Sequence, residues 1–94
     1  MPEGFEWDPE KAGENLRRHG ISFEEAASVF DDMDCRTQPD VEHSTPGEER
    51  DRTIGQSKRR RTLVVIHTTR GDTIRIISAR KATAYERDTY EEDW

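Results

Sequence analysis

The sequence predicts an α+β fold of two N-terminal helices, an antiparallel sheet of three to four strands and a C-terminal helix, with the helices on one side of the sheet. Three observations predict it. Apolar residues recur at helical spacing between Pro9 and Phe30, and as short β-rich runs from about residue 50 onward. The strands are joined by turns as short as Gly71-Asp72, which suit antiparallel hairpins and not crossovers. Behind Thr83 the pattern becomes helical again. With 94 residues there is room for one core, so the expectation is a single domain over residues 1–94.

Residues 1–7 form a lead-in. Phe5 and Trp7 alternate around Glu6, as in an edge strand or an apolar anchor. Asp8-Pro9 starts a helix: the carboxylate accepts free amides of the first turn, and proline suits its first position. Ala12, Leu16 and His19 share one face, and Gly20 follows the cationic turn Arg17-Arg18-His19 as a C-cap, placing helix 1 at 9–19. Ser22-x-x-Glu25 is a capping box with Ile21 as its staple. Phe23, Ala26, Ala27 and Phe30 give helix 2 its apolar face, from 23 to 30.

From Met33 the period changes. Cys35 to Gln38 suits a short strand. Pro39 to Glu49 is polar and turn-rich, a loop long enough to be functional or mobile. Arg50 to Ser57 reads as a strand and Lys58 to Arg61 as a turn. Leu63 to Thr69 is the strongest strand in the chain. Thr73 to Arg80 is the last strand, and Thr83 to about Asp93 the last helix. One sheet face carries Val64 and Ile66, or their alternates, against the helices. The other is free to display cations.

Composition limits the functions available. Hydrophobic residues are 30% and charged residues 38%, so the expectation is a marginal core that a covering partner would stabilise. No run approaches the ~20 apolar residues of a membrane helix. No signal peptide is recognised, so the expected location is cytoplasmic. The single Cys35 excludes an intrachain disulfide framework and a multi-thiolate zinc site. His19, His43 and His67 do not fall at zinc-binding spacings, and neither a Gly-rich phosphate loop nor a nucleophile elbow is present. The expectation is no metal and no cofactor.

The net charge of −6 conceals an asymmetry: residues 50–81 hold ten Lys or Arg against two Asp or Glu. Such a block suits local phosphate binding, and equally a solvated basic face neutralised by acidic helices. It runs into Arg75–Tyr90, RIISARKATAYERDTY, where a rigid strand leads through Arg80-Lys81 into a helix bearing Glu86 and Tyr90. Glu86 and Tyr90 lie one turn apart. Arg offers a planar fork to phosphate oxygens and Lys a point charge. Thr83-x-x-Glu86 fits a capping box equally well.

These residue types suit RNA cleavage by its own 2′-hydroxyl. That reaction needs a base, an acid and stabilisation of the extra charge on phosphorus, and no metal. Arg80, Lys81, Arg70 and Arg75 are candidates for charge stabilisation; His67, Glu86 and Tyr90 are candidates for proton transfer. The same surface would also serve a non-catalytic nucleic-acid-binding or corepressor module.

Four stretches resemble the BrnT family of type II toxins: FEWDPEKAGENLRRHGISFEEAASVF, HSTPGEERDRTIGQS, RTLVVIH and RIISARKATAYERDTYE. The resemblance implies a RelE-like fold and a ribonuclease that arrests translation. It also implies a BrnA-like antitoxin, a ribbon-helix-helix DNA-binding protein that forms a hetero-oligomer with the toxin and brings it to promoter DNA. The residues it carries over are Lys11 and His19 in the first stretch, and Arg80, Lys81, Glu86, Arg87 and Tyr90 in the last. The site expected is thus Arg80, Lys81, Glu86, Tyr90 and His67 for catalysis, with Lys11, His19, Arg70, Arg75 and Arg87 binding RNA.

Overall fold

The computed structural model describes residues 1–92. Its elements are β1 (Phe5–Glu6), α1 (Pro9–His19), α2 (Phe23–Ser28) continued by a 3-10 turn (Val29–Asp31), β2 (Arg36–Pro39), β3 (Asp51–Gln56), β4 (Thr62–Arg70), β5 (Thr73–Lys81) and α3 (Ala84–Glu92). The α+β class stands, with two corrections. The sheet has five strands, in the order β1-β5-β4-β3-β2, and it is mixed: β2 to β5 form an antiparallel meander, while β1 pairs parallel with β5. The helices also divide between its faces. α1 and α2 cover one, and α3 lines a cavity on the other with Ile54 and Val64.

The core lies between the first two helices and the sheet. Ile21, Phe23, Ala26, Ala27 and Val29 meet Leu63, Val65, Ile76 and Ala79, with Trp7 edge-on to Phe23. The alternates of Val64 and Ile66 therefore take the helix side. β4 is buried on both faces over Leu63–Thr68, so its apolar residues carry no alternation to say which side is inward.

The caps of α1 form as the sequence implies. Asp8 Oδ1 accepts the Glu10 N–H at 2.9 Å, and Gly20 closes the helix at φ 71°, where a side chain would be strained. The inward face of α1 differs. Leu16 and His19 are exposed, and the buried residue is Asn15. Its Nδ2 donates to the carbonyls of Ile21 (3.0 Å) and Ala79 (2.8 Å), and its Oδ1 accepts the Ala79 N–H (3.1 Å). A buried amide satisfied on both sides pins α1 to β5 where apolar packing would otherwise be needed.

α2 has half of its capping box. Ser22 Oγ accepts the Glu25 N–H at 3.1 Å, but the Glu25 carboxylate turns inward, 1% exposed, to Ser57 and Arg61. Burial alone would raise the carboxyl's pKa; hydrogen bonds from Arg61 and Ser57 reverse that and hold it lowered. Behind α2, Gly55 lets the chain close up. A Cβ there would stand 2.8 Å from Cys35 Cβ and 3.0 Å from Val29 Cγ1.

His67 is 3% exposed and points to the helix side. Its Nε2 shares a hydrogen bond with Thr53 Oγ1 at 2.7 Å, its ring packs edge-on to Phe30, and its Nδ1 is buried without a partner among the described residues. Burial lowers its pKa from the ordinary value of 6.5. The unfolded chain therefore binds a proton before the fold does. The stability is fully present above about pH 6.5 and is lost as pH falls from there toward the lowered folded value, at up to about 1.4 kcal/mol per pH unit. Urea unfolding between pH 7.5 and 5 should show this slope in the wild type and a shallower one in His67→Gln. Identical slopes would remove His67 as its source.

Candidate functional site

The sheet face away from α1 and α2 carries the cations. Strand register places Arg36 beside Ile54, Arg52 beside Ile66, and Arg80 beside Val64. Three cavities share lining residues and lead from α1 onto this face. Lys11, Arg18, His19 and Ser78 line one; His19, Ser78, Arg52 and Arg80 line the next; Arg52, Arg36, Tyr85 and Glu86 line the third, about 420 Å³ in volume. Together they make a trench from the C-terminal half of α1 to the start of α3, with Lys or Arg at each step and the carboxylates of Glu14, Asp40, Glu42 and Glu86 among them. Trenches of this kind attract polyanions because low-dielectric walls focus the field of the charges.

At the head of α3 Glu86 makes a capping box and an ion pair at once. The Glu86 N–H donates to Thr83 Oγ1 at 3.1 Å and the Thr83 N–H donates to Glu86 Oε1 at 2.8 Å, a complete capping box. The same carboxylate accepts Arg80 Nη1 at 2.7 Å and Nη2 at 2.9 Å. Principally through that pair, against some burial, the Glu86 carboxyl is lowered to about 2, while Arg80 is pushed up. Both stay ionised at neutral pH. The guanidinium is thus aimed by a rigid strand on one side and a capped helix on the other, with 40% of its side chain still open to solvent.

The other expected residues scatter. Lys81 is exposed next to Arg80, and Arg87 is exposed on α3. Lys11 and His19 lie along the trench. Arg75 stands farther along β5, 3.7 Å from Glu6. Arg70 is at the opposite end of the β4–β5 hairpin, lining a cavity with Glu48, Glu49 and Asp51. Tyr90 is 5% exposed and lines the third cavity with Glu86, and its hydroxyl donates to Asp32 Oδ2, so burial and that carboxylate push its pKa up. His67 lies on the far side of the sheet. Cys35 is half-buried, and burial with Asp32 and Asp34 raises its thiol pKa, keeping it protonated.

Sequence reasoning missed Arg36 and Arg52, which period-two alternation places on the Arg80 face once strand register is known. It also missed a pair in the long loop, where His43 Nδ1 lies 2.6 Å from Asp40 Oδ2. The signal was there as Asp-x-x-His. Among the described residues, Asp40, Glu42 and His43 are the group whose metal-ligand atoms come within 4.8 Å of one another. Glu42 and His43 are exposed, and such acidic groups commonly hold no ion. Because Nδ1 already faces Asp40, only Nε2 would remain for a metal unless that contact opened.

The class of protein so defined is a small α+β domain with a cation-lined trench across one sheet face and a carboxylate-clamped arginine within it. Residues 7–86 match the family described as the ribonuclease toxin BrnT of type II toxin-antitoxin systems, and the chain belongs to that family. Its fold is similar to the crystal structure of the Brucella abortus ribonuclease toxin, BrnT. The TM-score is 0.62 at 24% identity, over 82% of this chain and 92% of that one. No curated protein matches it. Membership of a toxin-antitoxin family implies an antitoxin partner. Among the described residues no helix is long and apolar enough to cross a membrane.

Proposed function

We propose that this chain is a RelE-like endoribonuclease toxin that cleaves RNA without a metal and arrests translation in the cytoplasm. A BrnA-like ribbon-helix-helix antitoxin neutralises it, and the hetero-oligomer binds promoter DNA through the antitoxin. The observation that carries this reading is the trench with Arg80 fixed inside it. Lys11, His19, Arg36 and Arg52 lead an RNA backbone to Arg80, with Lys81 and Arg87 at its margin and Arg70 and Arg75 contributing only longer-range attraction. The N–H groups of Arg80 that Glu86 leaves open meet phosphate oxygen and stabilise the charge that grows as the 2′-oxygen attacks phosphorus. Glu86, held near 2, is too weak a base for neutral pH. Its part is to orient Arg80. Tyr90 and His67 support α3 and the sheet beneath the site.

The test is incubation of the purified chain with RNA in EDTA. Cleavage should survive chelation, leave 2′,3′-cyclic phosphate and 5′-hydroxyl ends, and stop when antitoxin is added. Cleavage that needs a divalent ion sinks the metal-independent reading. RNA that a folded preparation binds but leaves intact sinks the enzyme and favours the binding or corepressor module.

A further inference from the structure

The loop between β2 and β3 delivers a histidine to the trench in a defined orientation. Asp40 is 5% exposed, and its backbone is fixed first: its N–H donates to the Arg50 carbonyl at 2.9 Å, and its carbonyl accepts Ser44 Oγ at 2.7 Å. Ser44 Oγ in turn accepts the Arg50 N–H at 2.9 Å, which ties the two ends of the loop together. From this anchor Asp40 Oδ2 meets His43 Nδ1 at 2.6 Å. A carboxylate at Nδ1 keeps a proton there, so neutral His43 presents its lone pair at Nε2. That nitrogen has no partner among the described residues, and 54% of the side chain is exposed. The ring lines the same cavity, about 220 Å³, as Arg80 and Arg52. Asp40, His43, Arg52 and Arg80 therefore line one space, together with Glu42 and His19.

We propose that His43 is a catalytic residue of the ribonuclease, the base that takes the proton of the attacking 2′-hydroxyl, and that Asp40 is its positioning residue. The assignment rests on the ribonuclease reading above. In the step, His43 Nε2 accepts the hydroxyl proton as the 2′-oxygen bonds to phosphorus. The bond from phosphorus to the 5′-oxygen breaks, and that oxygen takes a proton from water, which the open cavity admits. The products are a 2′,3′-cyclic phosphate and a 5′-hydroxyl. The imidazolium then returns its proton to water, so no oxidant, reductant or metal is consumed.

Steady-state cleavage of a short oligoribonucleotide by the full chain, in EDTA, tests this. His43→Ala should lose ~10²–10⁴ in kcat with KM unchanged, the range typical of a positioned base. His43→Gln, which still offers a donor to Asp40 but cannot take the proton, should be equally slow and guards against a loosened loop. Added imidazole should restore part of the rate to His43→Ala and none to Arg80→Ala. Asp40→Asn should lower kcat by less, again without moving KM, and should not respond to imidazole. A His43→Ala chain that cuts at the wild-type rate, or whose defect lies wholly in KM, overturns the assignment and leaves the ribonuclease reading intact. Wild-type activity that EDTA abolishes and a divalent ion restores also overturns it, because a metal would then occupy the ring. A wild-type chain that cuts no RNA under any of these conditions overturns the ribonuclease reading itself, and His43 with it.

Discussion

On the proposed mechanism, Arg80→Ala is expected to lower RNA cleavage by ~10²–10³-fold, the usual loss when one preorganised charge contact to a transition state is removed. The fold survives, because Arg80 lies on the open face near the end of β5 and its pair with Glu86 is partly exposed, which limits what that pair adds to stability. Arg80→Lys recovers little: an ammonium cannot both span the two oxygens of Glu86 and offer further N–H groups to phosphate. Glu86→Gln falls between wild type and Arg80→Ala. The amide still closes the capping box with Thr83, but it holds Arg80 less firmly. The measurement is single-turnover cleavage, with circular dichroism and melting temperature as folding controls. Full activity in both Arg80→Ala and Glu86→Gln would remove this site and move attention along the trench to Lys11 and His19.

Glu25→Ala costs roughly 3 kcal/mol of stability, the low end for breaking a buried ion pair. The low end applies because the Arg61 side chain is 28% exposed and can return to water, whereas the Glu25 carboxylate is 2% exposed. Arg61→Ala costs at least as much, since it strands the carboxylate with only Ser57 for company. At about 4–8 °C per kcal/mol for a chain this size, either variant melts more than about 10 °C below the wild type. A surface salt bridge would shift stability by under about 1 kcal/mol, and shifts that small in both variants would show that the pair is dispensable.

Much of the architecture was legible because local rules decide it. Asp8-Pro9 and Gly20 bound α1, Ser22 opens α2, and the Val/Ile-rich run around Val64 is a strand. What was illegible depends on contacts between distant segments. β1 is two residues long and finds its partner only at Ile74 and Arg75. Ala79, which holds Asn15, and Ser57 and Arg61, which hold Glu25, lie far along the chain, so Glu25 read only as the second half of a capping box. The site divides the same way. Arg80, Thr83 and Glu86 are neighbours in sequence and could be read together, although the one-turn spacing of Glu86 and Tyr90 did not bring them to one task. Arg52, Arg36 and His43 join Arg80 only through strand register and a folded loop. His67 looked available because a strand alone does not say which face is inward.

The parallel pairing of β1 with β5 and the Asn15 bridge to Ala79 also govern how the molecule assembles. The bridge joins residues 64 apart in sequence, and β1 reaches as far to meet Ile74. Both closures span most of the chain and carry a loop-entropy cost that the β3–β4 and β4–β5 hairpins, closed by short turns, do not. On the ribosome, α1 and α2 emerge first; α2 meets Leu63 and Val65 once β4 follows, while Asn15 of α1 finds Ala79 only when β5 is made. Arg80 sits at the end of that same strand, so the cationic trench comes into being only at the moment the core closes.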